Sequence, residues 1–285
     1  MPTGEIIWTG ANVLKNATGY NLTQLIVGSE GTLAVVTKIV LKLLPHPTHN
    51  LLMLVPFYNS EKACDAVAAL FKAGITPSGL EFMERDALDW SMRFCNTTAI
   101  SIPDDIQAHL LIELDGHNEE QLLAEAEQIS ELVTKYDIGE LLFADTAAQK
   151  ETLWQLSRKM GEAVKSNSVY KEEDTVVPRA HLPELLTYIK ELGKEYGFQS
   201  VCYGHAGDGN WHIHIFYDNE NPFNAEISAA FDELLFSHNG HISGEHGIGR
   251  IHKQRFIEFK DNHYKALYLA LKAHLDPKNQ LPSIF

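Results

Sequence analysis

The chain has 285 residues, 45% of them hydrophobic and 21% charged, enough to bury a sizeable core in one or two domains. Its formal charge of −15 argues against a nucleic-acid partner, because phosphate binding needs a basic surface. A small anionic substrate stays open, since a metal and a local cation can outweigh the global field inside a cleft. Cys64, Cys95 and Cys202 are far apart and form no CxxC pair, so neither a disulfide framework nor a cysteine zinc site is indicated. With no basic-then-apolar leader and no membrane-length apolar run, a cytoplasmic setting is expected.

In chain order, Glu5-Ile6-Ile7-Trp8 reads as a strand, Asn21 to Val27 as a short helical turn, and Gly28-Ser29-Glu30-Gly31 as a tight loop. Thr32 to Leu44 is a β-branched run that ends at Pro45-His46-Pro47, the expected domain boundary, with residues 1–47 before it and 48–285 after. Leu51 to Phe57 has strand length. Ser60 stands where an N-cap belongs, and Ala63, Val67, Leu70 and Phe71 then form a helical stripe up to Gly74. His109 to Leu114 is a strand, followed by a helix with Leu122, Ala126, Ile129 and Val133 on one face. Helices over Thr146 to Val164 and Leu182 to Leu192 flank an extended piece, Val169 to Val177. Strands Ser200 to Tyr203 and Trp211 to Phe216, a helix from Ala225 to Phe236 and two closing helices complete an α+β pattern with an antiparallel-leaning sheet.

The chemistry concentrates in two glycine-rich segments, Gly204-His205-Ala206-Gly207-Asp208-Gly209-Asn210-Trp211-His212 and Ser243-Gly244-Glu245-His246-Gly247-Ile248-Gly249. Gly207 and Gly209 let the chain reverse, so that His205 returns beside His212, and His214 shares a strand face with His212. Asp208 and Asn210 suit that turn without any catalytic role. Glu245 then completes a two-histidine, one-carboxylate set with open positions, suited to a catalytic divalent metal. Zinc is the expected ion, with manganese and iron(II) as alternatives. His46, His49, His181, His238 and His241 show no comparable pattern and read as ordinary surface or core residues.

These motifs resemble the C-terminal part of FAD-linked 2-hydroxyacid oxidoreductases, the group that includes the flavoprotein component of glycolate oxidase, D-lactate dehydrogenase and D-2-hydroxyglutarate dehydrogenase. Lys15-Asn16-Ala17-Thr18-Gly19-Tyr20-Asn21-Leu22 and Gly28-Ser29-Glu30-Gly31-Thr32-Leu33 resemble the end of that family's FAD-binding domain. The resemblance implies the close of a PCMH/VAO-type FAD-binding domain, then an FAD-linked oxidase C-terminal domain with a ferredoxin-like antiparallel sheet and helices. It implies FAD as cofactor, contacted through Gly19, Tyr20, Gly28, Ser29, Glu30 and Gly31. It further implies that a 2-hydroxy acid chelates the metal on His205, His212 and Glu245 while His246 removes the hydroxyl proton and hydride passes to the flavin. Arg158, Lys171, Asn210 and His214 are the candidate substrate contacts. The family's arginine falls three residues after a tryptophan; here Ser157 follows Trp154 at that spacing and Arg158 is one step further. The usual Asn-Pro-Gly-Lys turn near the end is replaced by Asp276-Pro277-Lys278-Asn279.

The family's pyrophosphate-gripping glycine loop has no match here, which implies a truncated or split product, or a second polypeptide that supplies the missing half. The expected electron acceptor is separate: a quinone, a cytochrome, an iron–sulfur subunit or electron-transfer flavoprotein. Such partners imply peripheral attachment to a membrane as an alternative to a free cytoplasmic protein. A non-catalytic subunit that binds metal and hydroxy acid is the main rival. A metal hydrolase explains the three donors but not the Gly19–Leu22 and Gly28–Gly31 segments.

Overall fold

A computed structural model describes residues 1–98, 100–167, 169–217 and 224–284. Two compact units emerge, one of Met1–Pro45 with His246–Phe285 and the other of His46–Glu245. The division lies next to the Pro45-His46-Pro47 segment, and the C-terminal stretch joins the N-terminal one rather than the larger unit.

The first unit opens with α1 (Leu22–Ile26), whose N-cap Asn21 accepts from the Gln24 amide at 3.1 Å. The strands expected at Glu5–Trp8 and Thr32–Leu44 do not form: among the described residues neither joins a ladder. β-branched composition favours extended backbone, but a strand also needs a neighbour's N–H and C=O groups. Ile6, Leu41 and Leu43 accordingly stay exposed.

The second unit contains β1 (His49–Phe57), α2 (Ser60–Lys72), β2 (Gly79–Glu84), α3 (Arg85–Phe94), β3 (Ala108–Gly116), α4 (Glu119–Val133), β4 (Leu142–Ala144), α5 (Ala147–Lys165), β5 (Tyr170–Val176), α6 (Leu182–Tyr196), β6 (Gln199–Gly204), β7 (Asn210–Phe216) and α7 (Ala225–Ser237). The N-cap of α2 is Asn59, which accepts from Lys62 N at 2.9 Å; Ser60, expected to cap, is its first helical residue. Gly74 ends the helix with φ +83°, a left-handed conformation that favours glycine.

The sheet runs β4-β1-β3-β2-β6-β7-β5, and every pairing is antiparallel. Helices cover both faces, which explains why β1 is apolar without alternation. Leu52 and Leu54 pack with Leu88 of α3 and Leu156 and Met160 of α5, while Met53 and Val55 are buried on the opposite side. The β2–β6 ladder is short and is reinforced by a half-buried pair: Lys190 Nζ of α6 reaches Glu84 Oε2 at 2.8 Å, and Cys202 N donates to the same oxygen at 2.6 Å. The thiols of Cys64 and Cys202 are buried, which raises both pKa values.

Returning to the first unit, α8 (Lys253–Phe259) and α9 (Asn262–Leu275) close the chain. Lys272 of α9 is buried and donates to Asp276 Oδ2 at 2.5 Å and to the Thr32 carbonyl at 2.8 Å. Asp276 also accepts from the amides of Gln280 and Leu281, which fixes the unusual tail through a carboxylate rather than a glycine turn.

Candidate metal centre

Strand register gathers the polar side chains. β6 and β7 set Tyr203 opposite His212 and Val201 opposite His214; β5 and β7 set Asp174 opposite His212 and Glu172 opposite His214. The β2–β6 register, Met83 with Tyr203 and Phe82 with Gly204, continues to bring Glu81 to His205. Because side chains alternate, all of these lie on the face that also carries Met83, Val201 and Tyr203 into the α3–α5 core.

The reversal between His205 and His212 is one tight turn, Ala206–Asp208, closed by Gly209 at φ +73°. A Cβ at Gly209 would stand 2.1 Å from the Val177 carbonyl oxygen, so no side chain fits. Glu245 arrives from beyond α7 on a loop that His241 anchors to Val176 by a β-bridge. Asp174, buried, organises its end: Oδ2 accepts from Ser243 Oγ at 3.0 Å and Glu245 N at 2.9 Å, and Oδ1 accepts from Asn210 Nδ2 at 2.8 Å. Gly244 passes so close to Asn210 that a Cβ would meet its amide nitrogen at 2.1 Å.

The three candidate ligands converge. Glu245 Oε1 is 3.7 Å from His205 Nε2 and 3.3 Å from His212 Nε2, and one donor atom from each residue lies within 4.8 Å of the others. Two imidazoles and a carboxylate at this spacing fit a divalent ion with open positions. His205 Nδ1 is 2.9 Å and 3.0 Å from the two Glu81 oxygens, the arrangement in which a carboxylate holds a ligating ring by its other nitrogen. His212 Nδ1 stands 3.9 Å from Asp174 Oδ1.

The hydrogen bond that His205 donates to Glu81, with the charges of Glu81, Glu245 and Asp208, raises the metal-free His205 pKa from 6.5 to about 9 although burial opposes it. The folded value lies above the unfolded one, so protonated His205 stabilises the metal-free chain fully below about pH 6.5 and ceases to do so as pH passes about 9. A metal at His205 would have to displace that proton, so ion uptake near pH 7 would release a proton and weaken as pH falls. Glu81→Gln is expected to bring the His205 pKa down, reduce proton release and weaken metal affinity by about 10- to 100-fold. Calorimetry in buffers of different ionisation enthalpy measures all three; unchanged affinity and proton release would show that Glu81 does not orient the ring.

The other candidates differ in their surroundings. His214 is fully buried, with Nε2 2.9 Å from Tyr203 Oη and 3.5 Å from Glu172 Oε1. Burial pushes the Glu172 carboxyl up, but its hydrogen bonds with His214 and Lys165 prevail and hold it at about 2. Asn210 spends Nδ2 on Asp174 and on the Thr175 carbonyl, both at 2.8 Å. Lys171 falls on the opposite face of β5 from Glu172 and Asp174, 3.7 Å from Glu173. Arg158 is exposed on α5 and paired with Glu151 of the same helix. His246 follows Glu245 in the chain but begins the C-terminal segment of the first unit. In that unit Glu30 accepts from the Ile248 and Gly249 amides at 2.8 Å and 2.9 Å, which commits its carboxylate. Gly28, Ser29 and Glu30 line part of a cavity of about 370 Å³ with aromatic walls from Phe256 and Tyr264. The would-be Cβ positions of Gly19, Gly28 and Gly31 face open space, and Tyr20 is exposed. Sequence reasoning missed Glu81, Asp174, Glu172 and Tyr203.

Residues 46–283 match the family model described as "FAD linked oxidases, C-terminal domain". The chain belongs to the FAD-linked oxidase family. Among family relatives it is 37% identical to a D-lactate dehydrogenase of Anaerostipes hadrus, over 87% of this chain and 54% of that protein. It is 32% identical to glycolate oxidase subunit GlcD of Bacillus subtilis, over 99% and 60% respectively. The chain thus spans between half and two thirds of the length of the curated relatives it matches. In fold it is similar to a solved alkyldihydroxyacetonephosphate synthase, with TM-score 0.61 and 17% identity over 93% of this chain and 50% of that one. A p-cresol methylhydroxylase gives TM-score 0.57 at 17% identity, over 83% and 52%. Among the described residues, no helix of this FAD-linked oxidase family member is long and apolar enough to cross a membrane.

Proposed function

We propose that the chain supplies the metal- and substrate-binding part of a flavin-linked enzyme that oxidises a 2-hydroxy acid to the 2-oxo acid. The observation that carries this reading is the convergence of His205, His212 and Glu245 within 4.8 Å, in a chain 37% identical to a D-lactate dehydrogenase. Zinc, or else manganese or iron(II), would be held by His205 Nε2, His212 Nε2 and Glu245, with His205 Nδ1–H kept on Glu81.

When bound, such an ion supplies Lewis acidity, of the kind that lowers the pKa of water from about 15.7 to about 7. His246, next in sequence to Glu245, then takes the substrate's hydroxyl proton at a ring nitrogen, a role worth about 10²- to 10⁴-fold in rate. Gly19, Tyr20, Gly28, Ser29 and Gly31 offer contacts to FAD, the proposed acceptor of the hydride leaving C2. Glu30 braces that loop through its bonds to Ile248 and Gly249. Arg158, tied to Glu151, Lys171, on the far face of β5, and Asn210, committed to Asp174, are left out of the scheme. Electrons leave through a separate acceptor, and a further polypeptide or chain segment completes the flavin site.

The dispersal of Arg158 and Lys171 favours one second reading, a subunit that binds hydroxy acids without oxidising them. Mixing metal-loaded protein with FAD, a redox dye and glycolate, D-lactate or D-2-hydroxyglutarate separates the two. Substrate-dependent dye reduction is the expected result. Hydroxy-acid binding by calorimetry with no reduction of dye would support the binding subunit and overturn the oxidase.

A further inference from the structure

Away from the Glu245 cluster, three side chains to which the metal centre gives no role meet at the surface of the second unit. His181 ends the Arg179–His181 turn and stands at the N-cap of α6, Glu184 lies in the first turn of α6, and His238 is the C-cap of α7. His181 Nδ1 is 2.5 Å from Glu184 Oε2, and His238 Nε2 is 3.6 Å from the same oxygen. The two rings pack edge to face with centroids 4.7 Å apart, and one donor atom from each of the three residues lies within 4.8 Å of the others.

We propose that His181, Glu184 and His238 form a second site for a divalent d-block metal ion. The hydrogen-bond geometry of His238 carries the argument. Its Nδ1 is 3.0 Å from the Leu234 carbonyl, which can only accept, so Nδ1 bears the hydrogen, with Ser237 Oγ also at 2.9 Å. In the neutral ring Nε2 therefore presents a lone pair toward the Glu184 carboxylate, an arrangement that a cation between them makes favourable. A carbonyl holding the far nitrogen is the outer contact that fixes the tautomer of a ligating imidazole. The partial negative charge at the C-terminus of α7 favours a cation and the partial positive charge at the N-terminus of α6 opposes it, so the helix ends leave the attraction to the three side chains. All three side chains are partly exposed, which leaves room for water to complete the coordination. Two imidazoles with one carboxylate select zinc, nickel, copper or cobalt over magnesium and calcium. The alternative, a plain surface ion pair, contributes only about 0–1 kcal/mol and gives no reason for two rings to converge on one oxygen. Both helix ends adjoin the Glu245 cluster in sequence, since Pro178 follows β5 and His238 leads through His241 to Glu245.

The test is zinc titration of the chelator-stripped full chain against a competing indicator, for wild type, His181→Asn, His238→Asn and His212→Ala. Metal-free melting temperatures close to wild type for the two asparagine variants establish that they fold. Wild type is expected to bind two equivalents, with one weakened at least tenfold by either asparagine substitution and the other lost in His212→Ala. One equivalent that vanishes in His212→Ala and is untouched in His238→Asn overturns the second site. One equivalent lost in His238→Asn but kept in His212→Ala supports it and instead removes the metal from the proposed oxidase centre. Magnesium that competes with zinc at equal concentration would overturn the d-block assignment.

Discussion

His212→Ala is expected to abolish tight metal binding at the Glu245 cluster, whereas His246→Ala retains the ion and loses turnover. His212 is buried at the centre of the donor set, 3.3 Å from Glu245 Oε1, and nothing else on β7 can take its place: the next residue on that face, His214, is turned to Tyr203 and Glu172. Loss of an outer partner costs about 10- to 100-fold in affinity, and loss of one of three direct ligands must exceed that. His246→Ala removes the proposed base and leaves the three proposed ligands in place, so the rate of dye reduction should fall by about 10²- to 10⁴-fold at unchanged metal content. The metal analysis is best made in the His238→Asn background, so that the surface site does not contribute. Equal metal loss in both variants would end the division of roles between ligand and base.

Asp174→Ala should produce the largest loss of stability among substitutions at this face. Its carboxylate is 2% exposed and accepts from Asn210, Ser243 and the Glu245 amide, thereby joining β5, β7 and the ligand loop. Removing it leaves Ser243 Oγ and the Glu245 amide without this acceptor and Asn210 with the Thr175 carbonyl alone, around a cavity, at about 3–5 kcal/mol in total. For a unit of this size that corresponds to a fall in melting temperature of roughly 10 °C. Asp174→Asn keeps one acceptor and the shape, so a cost nearer 1–3 kcal/mol is expected. Metal affinity should follow the same order, since the Glu245 loop is released in proportion. An Asp174→Ala protein that melts within a degree or two of wild type and binds zinc normally would show that the loop is held by other means.

What sequence alone made legible was local. Glycine at the left-handed Gly209 position announced the reversal that returns His205 to His212, and the alternation of β7 placed His212 and His214 on one face. Helices with clear apolar stripes, such as α2 and α4, stood out for the same reason. The misses depend on partners distant in the chain. Gly79-Leu80-Glu81-Phe82-Met83-Glu84 carries two carboxylates, which hides a strand whose burial comes from pairing with β3 and β6. Only that pairing reveals Glu81 as the support for His205. Val169 to Val177 was legible as extended, but not that Glu172 and Asp174 share one face while Glu173 points to the other, nor that Glu173 and Asp174 are buried. Thr32 to Leu44 failed in the opposite sense, since β propensity does not make a strand without a neighbour. At α2 the cap is Asn59, one residue before the expected Ser60, and both residue types cap well.

His205 directly follows β6, His212 lies on β7 and Glu245 sits on a loop beyond α7, so Glu245 is far along the chain from both histidines and an unfolded chain has no such pocket. An ion that occupies it favours the native state by mass action, by about 2.7 kcal/mol when free metal is a hundred times the dissociation constant. With the proposed ion bound there, thermal tolerance of this chain would depend not only on its core but on the ion supply around it.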